Sequence, residues 1–142
     1  MDNFKKKILA ESDDVRLAIE NLKLAMGRCE KTVVELAAIG TFMHNIYNGM
    51  ENILKQCLKF KNIEISKNSN WHKELLNASI DAGIVSESVG ESLFEYMGFR
   101  HFFVHSYGFR IEESQITILA DSIEGVWIRF YREIENFIEN NI

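Results

Sequence analysis

The chain has 142 residues, enough for one domain with a substantial core but not for two. Hydrophobic residues make up 46% and charged residues 26%, an ordinary soluble globular balance. No apolar run approaches the roughly 18 residues that a membrane span needs. The net charge of −5 argues against a broad electrostatic footprint for nucleic acid, while leaving room for a local basic cleft.

The opening MDNFKKKILAE mixes charged and apolar residues too evenly for a secretory signal. Lys5 to Lys7 read as a solvated face, with help in binding nucleic acid as the alternative. Ile8, Val15, Leu22 and Cys29 recur every seven residues, with Leu9, Ile19 and Met26 adjoining. This predicts a first helix, or two broken near Ser12, ending about Gly27 and Arg28. A second helix is predicted from about Lys31, carrying Val34, Ala38, Phe42, Ile46, Ile53 and Leu58. Gly40 and Gly49 inside it each cost about 1 kcal/mol relative to alanine, a cost that close approach of a neighbouring helix would explain.

The polar segment KNIEISKNSN is the main surface loop, after which Asn70 is placed to cap a short helix, WHKELLNASIDAG, that ends at Gly83. Ser86 or Ser88 starts a fourth helix carrying Leu93, Met97, Phe103 and Val104, with Gly108 as its stop. The last helix follows Glu113, with Ser114 as its cap. It carries Ile116, Leu119, Ile123, Val126, Trp127, Phe130, Ile134 and Phe137 at three-and-four spacing. Proline, the strongest helix breaker, is absent throughout. The expectation is an all-α bundle of about five helices with antiparallel neighbours, a single domain over 1–142. Cys29 and Cys57 form no CxxC and read as reduced thiols of a cytoplasmic protein.

The fourth helix ends in RHFFVHSY, from Arg100 to Tyr107. Burying such polar groups unpaired would cost several kcal/mol, so they need partners or a cleft. Arg100 and Tyr107 are seven apart and project almost alike, whereas Arg100 and His105 are five apart, about 140° around an ideal helix. They share a face only if the helix ends or bends between them, or if a second copy supplies the facing residue. Phe99, Phe102 and Phe103 cover much of the remaining circumference, as a helix buried on several sides requires.

Arg-x4-His-x-Tyr, with a polar residue directly after the arginine, resembles the signature of HEPN-domain ribonucleases. The trailing tyrosine resembles the HepT branch of bacterial toxin–antitoxin systems. FMHNIYNGMENIL in the second helix is similar to the aromatic-rich YxG(I/L)E helix of HepT-like proteins, and NSNWHKELL to their NWHxELL segment. The three stretches span about Phe42 to Phe109.

The resemblance implies RNA cleavage without a metal, the ribose 2′-hydroxyl attacking the adjacent phosphate. Histidine suits proton transfer and arginine suits phosphate. The implied catalytic residues are therefore His105 for acid–base work and Arg100 for phosphate binding, with His101 supporting. The resemblance also implies a two-fold homodimer that brings two Arg/His sets into one cleft. Tyr107 would accept AMP from a partner nucleotidyltransferase antitoxin. No cofactor is implied.

Two other readings compete. His101 and His105 have a helical metal-ligand spacing, and His44 or His72 is available as a third ligand. No HExxH is present, however, and no carboxylate lies within the pair. The other rival is a HEPN-like dimeric binding module that holds a nucleotidyltransferase without cutting RNA, which the acidic net charge favours. Trp71 and His72 read as an anchor and a local hydrogen-bonding residue rather than as functional residues, and Asn45, Tyr47 and Asn48 as a solvated helix surface rather than cleft lining.

Overall fold

The computed structural model describes residues 2–105 and 113–141. The helices are α1 (Asp2–Met26), α2 (Val33–Phe60), α3 (Trp71–Asp81), α4 (Glu87–His105) and α5 (Glu113–Asn140). No strand occurs among the described residues. The protein is the all-α bundle that its apolar spacing predicts.

Cross-helix pairs give the directions. Phe4 stacks on Phe60 with ring centroids 4.7 Å apart, Asn52 Nδ2 donates to Glu11 Oε2 at 3.4 Å, and Gly49 lies against Val15. Rising numbers in α1 thus meet falling numbers in α2, an antiparallel pair. α4 and α5 run antiparallel by the same test: the Tyr96 hydroxyl donates to Leu119 O at 2.7 Å, and Arg129 donates to Ser92 Oγ at 3.2 Å. Between α1 and α5, Lys23 pairs with Glu124 at 2.8 Å, while Arg16 lies over the rings of Trp127 and Tyr131. α2 packs against all four other helices. Its apolar stripe is accordingly wide, with Ile39, Met43, Ile46, Met50, Ile53, Leu54, Cys57 and Leu58 all buried.

The helix ends are set by local chemistry. Thr32 and Glu35 form a reciprocal capping box at the start of α2: Val34 N–H donates to Thr32 Oγ1, and Thr32 N–H donates to Glu35 Oε1. Gly83 adopts φ +71°, the left-handed conformation that stops α3. Ser86 caps α4 by accepting from Val89 N–H at 3.2 Å.

α1 is one unbroken helix, the first of the two alternatives its sequence leaves open, with Ser12 donating its hydroxyl to Leu9 O at 2.9 Å. Several other sequence-based expectations need correction. Leu9 is exposed, and Cys29 lies exposed beyond the helix end, so neither extends the buried stripe. Val34 is also exposed, in the first turn of α2 before that helix reaches the core. Asn70 makes no side-chain cap bond; Asn68 Oδ1 instead accepts from Asn70 N–H at 2.9 Å. Ser114 sits inside α5 rather than capping it. Gly108 lies outside the described residues.

Both glycines of α2 mark close helix approaches. A methyl group at Gly49 would overlap the Cγ2 of Val15, and one at Gly40 would overlap the Phe103 ring. Val15 is stiff and buried, so α1 itself must move to admit a side chain at 49. Gly49→Ala is expected to destabilise the bundle by about 1–2 kcal/mol, the overpacking cost exceeding the gain in helix propensity. Denaturant titration checks this, and a variant more stable than wild type would refute the close packing of α1 on α2.

Candidate functional site

α4 carries Arg100 and His101 toward its end and finishes at His105. Arg100 is half-buried and His101 exposed. The ring of His105 and all of Tyr107 lie outside the described residues. α4 runs on through Arg100 and His105 without a break, so the two positions lie about 140° apart around the axis. Neither an ended nor a broken helix brings them onto one face.

Arg100 is instead tied to α2. Its Nε–H donates to Asn48 Oδ1 at 3.2 Å, and Asn48 Nδ2 lies 2.9 Å from His44 Nε2. The polarity of this chain is forced. A guanidinium only donates, so the oxygen of Asn48 must face it. The amide hydrogens of Asn48 then face His44, whose Nε2 must accept. His44 is therefore neutral, with its proton on Nδ1, an atom that is buried without a hydrogen-bond partner among the described residues.

Burial depresses the His44 pKa below its usual 6.5, and the charge of Arg100 depresses it further, with Glu51 opposing. The Phe103 ring lies 6.4 Å from the His44 ring and rests on Gly40. The glycine admits the aromatic wall that helps to keep the imidazole dry.

One turn further along α2, Tyr47 and Glu51 are buried, 1% and 3% exposed. The Glu51 carboxylate receives His72 Nδ1 from α3 at 2.6 Å. Burial, aided by that carboxylate, raises the Tyr47 pKa far above the usual phenol range, so Tyr47 stays a neutral hydroxyl. This polar cluster pins α2, α3 and α4 together, and the two motif-bearing segments of the sequence meet in it. Glu51, closing the YNGME stretch, pairs with His72 of NWHKELL.

The sequence reading missed this arrangement. Tyr47 and Asn48 do not form a solvated surface: Tyr47 is buried and Asn48 joins two helices. Asn45, by contrast, is exposed. His72 is not merely a local residue of α3, since its partner lies 21 positions away. A faint signal existed, because His44, Asn48 and Glu51 recur at four and three residues on one face. Among the described residues, no group of three His, Cys, Asp or Glu is placed to hold a metal ion, and no helix is long and apolar enough to cross a membrane.

The neutral state of His44 has a measurable consequence. Its lowered pKa means that the unfolded chain binds the extra proton more readily. The stability this contributes is complete above pH 6.5 and is lost as pH falls through the depressed folded value. His44→Gln, whose amide oxygen can accept from Asn48 without titrating, is expected to flatten that part of the stability–pH curve. Identical curves for the two proteins between about pH 7 and pH 5 would contradict the assignment.

A family model described as HepT-like protein matches residues 38–141. No curated protein and no solved structure matches the chain. The matched span contains α2 from its second turn onward together with α3, α4 and α5, and so includes every residue of the polar cluster. The chain belongs to the HepT-like family.

Proposed function

We propose that the protein is the toxin of a bacterial toxin–antitoxin system, an endoribonuclease whose ribose 2′-hydroxyl nucleophile is deprotonated by a side chain rather than by a metal-bound hydroxide. The observation that carries this reading is the tether on Arg100. A flexible arginine at a surface would lose considerable entropy on binding phosphate. Here Asn48 already holds Nε, leaving the Nη groups to take the phosphate and the charge that develops on it. His105, at the end of the same helix, performs acid–base work, for which an imidazole is suited near neutral pH. His101 is exposed beside Arg100 and supports it or His105.

Because Arg100 and His105 diverge around a regular helix, the working pair is drawn from two chains. A two-fold homodimer through α4 places the arginine of one protomer opposite the histidine of the other. Phe102 and Val104, 39% and 41% exposed between those two positions, are the apolar surface that such an interface would cover. Tyr107, two residues beyond His105 in the sequence, is the proposed acceptor of AMP. AMP added there by a nucleotidyltransferase antitoxin blocks RNA by bulk and by negative charge.

A second reading has one observation in its favour. The net charge of −5 suits a dimeric module that binds a nucleotidyltransferase without turning over RNA. The two readings separate on purified protein in chelator. The nuclease reading expects RNA to be cut, with Arg100→Ala and His105→Ala each slowing cleavage by about 10²–10⁴-fold and leaving the thermal transition of the bundle in place. Wild type that leaves RNA intact while retaining its partner would establish the binding module.

A further inference from the structure

One groove lies away from Arg100. It has a volume of about 610 Å³ and forms where the end of α2, the 61–70 connection and the start of α3 meet. Its floor is apolar, built from Leu58, Ile63 and Trp71, and its rim carries Lys55, Lys59 and Lys67. All three lysines are exposed, and none takes part in an ion pair among the described residues. Lys55 rests on the tryptophan, its Nζ 4.2 Å from the Trp71 ring centre.

Local charge runs against the chain as a whole. Residues 55–73 contain five lysines and a single acidic residue, Glu64, in a protein of net charge −5. Neighbouring carboxylates are engaged elsewhere. Glu51 is held by His72, and Glu74 accepts from Ser66 Oγ and from Asn68 Nδ2, which ties the connection to α3. Glu64 is the one carboxylate on the lining. The groove therefore presents three cations over an apolar floor with a tryptophan wall, complementary to a chain of phosphates bearing flat bases.

Its placement fits the proposed chemistry. Asn48, Lys55 and Lys59 are spaced seven and eleven residues along α2, so they lie within about 20° of one line on the helix. The line leads from the Asn48–Arg100 contact into the groove, about 16 Å at 1.5 Å per residue. A strand whose phosphate sits on Arg100 reaches the lysines along this line of α2 by passing Asn52, whose amide donates to Glu11.

The structure assigns to this groove, we propose, the binding of single-stranded RNA flanking the scissile phosphate. The choice of RNA as occupant rests on the nuclease reading, but the groove can be tested without cleavage. The probe is a fluorescein-labelled 2′-O-methyl RNA of about twelve nucleotides of mixed sequence, which lacks the nucleophile and cannot be cut. Anisotropy titrations follow its binding between about 50 and 200 mM salt.

The combined variant Lys55→Ala/Lys59→Ala/Lys67→Ala is expected to bind at least about tenfold more weakly and to lower the slope of log affinity against log salt by about 2, as loss of three phosphate contacts from a single strand requires. Lys5→Ala/Lys6→Ala/Lys7→Ala, with the same change in charge, is expected to shift affinity less than about twofold with an unchanged slope. Circular dichroism checks that both variants fold. Equal losses in the two variants, no loss in the groove variant, or no binding by wild type would each overturn the proposal. Wild type that binds through the groove but does not cut cleavable RNA would overturn the nuclease reading and leave the RNA site standing.

Discussion

A guanidinium has five hydrogens to give and nothing with which to accept, and this one-way chemistry orders the interior around Arg100. It turns the oxygen of Asn48 toward α4 and the amide of Asn48 toward His44, which leaves a neutral imidazole as the only acceptable terminus. Burial reinforces what hydrogen bonding demands, since desolvation and the arginine charge both disfavour an imidazolium at position 44. The same chain of contacts sets the register between α2 and α4. Gly40 then admits Phe103, so apolar packing and polar alignment agree on one arrangement.

α2 has two tasks that are usually divided among helices. It is the apolar hub against which every other helix packs, and it supplies His44, Tyr47, Asn48 and Glu51 to the polar cluster. Burying a polar group is costly unless a partner is in place, and in this cluster His44 Nδ1 and the Tyr47 hydroxyl have none among the described residues. Glu51 has His72, and Asn48 has both Arg100 and His44. The cluster therefore links the three helices that surround the proposed site, and it does so through the two segments whose wording resembles the HepT-like pattern. Those motif residues act on this helix arrangement before any of them acts on a substrate.

The bundle was legible in the sequence because apolar spacing is a direct record of burial. All eight positions of the stripe expected in α5 pack into the core or against its edge, as periodicity requires. The errors came where an apolar residue lies beyond the reach of a partner helix, as with Leu9 and Val34, or where an expected cap makes no bond, as with Asn70. The polar cluster was harder to see. Asn48 and Tyr47 look like solvated residues until α4 is laid over them, and a contact across 52 positions, such as Arg100 to Asn48, leaves no local pattern. Sequence spacing did reveal that Arg100 and His105 diverge, and the unbroken run of α4 retains that divergence.

The central claim is that the cleaving unit is a pair of chains, each lending its arginine to the other's histidine. Mixing Arg100→Ala with His105→Ala protein, after denaturation and joint refolding, tests it most directly. Half of the dimers would then be mixed, and each mixed dimer would hold one complete Arg/His pair and one empty one. The account predicts that two inactive preparations regain about a quarter of wild-type activity on mixing. A mixture as inactive as its parents, when wild type cuts RNA, would contradict it.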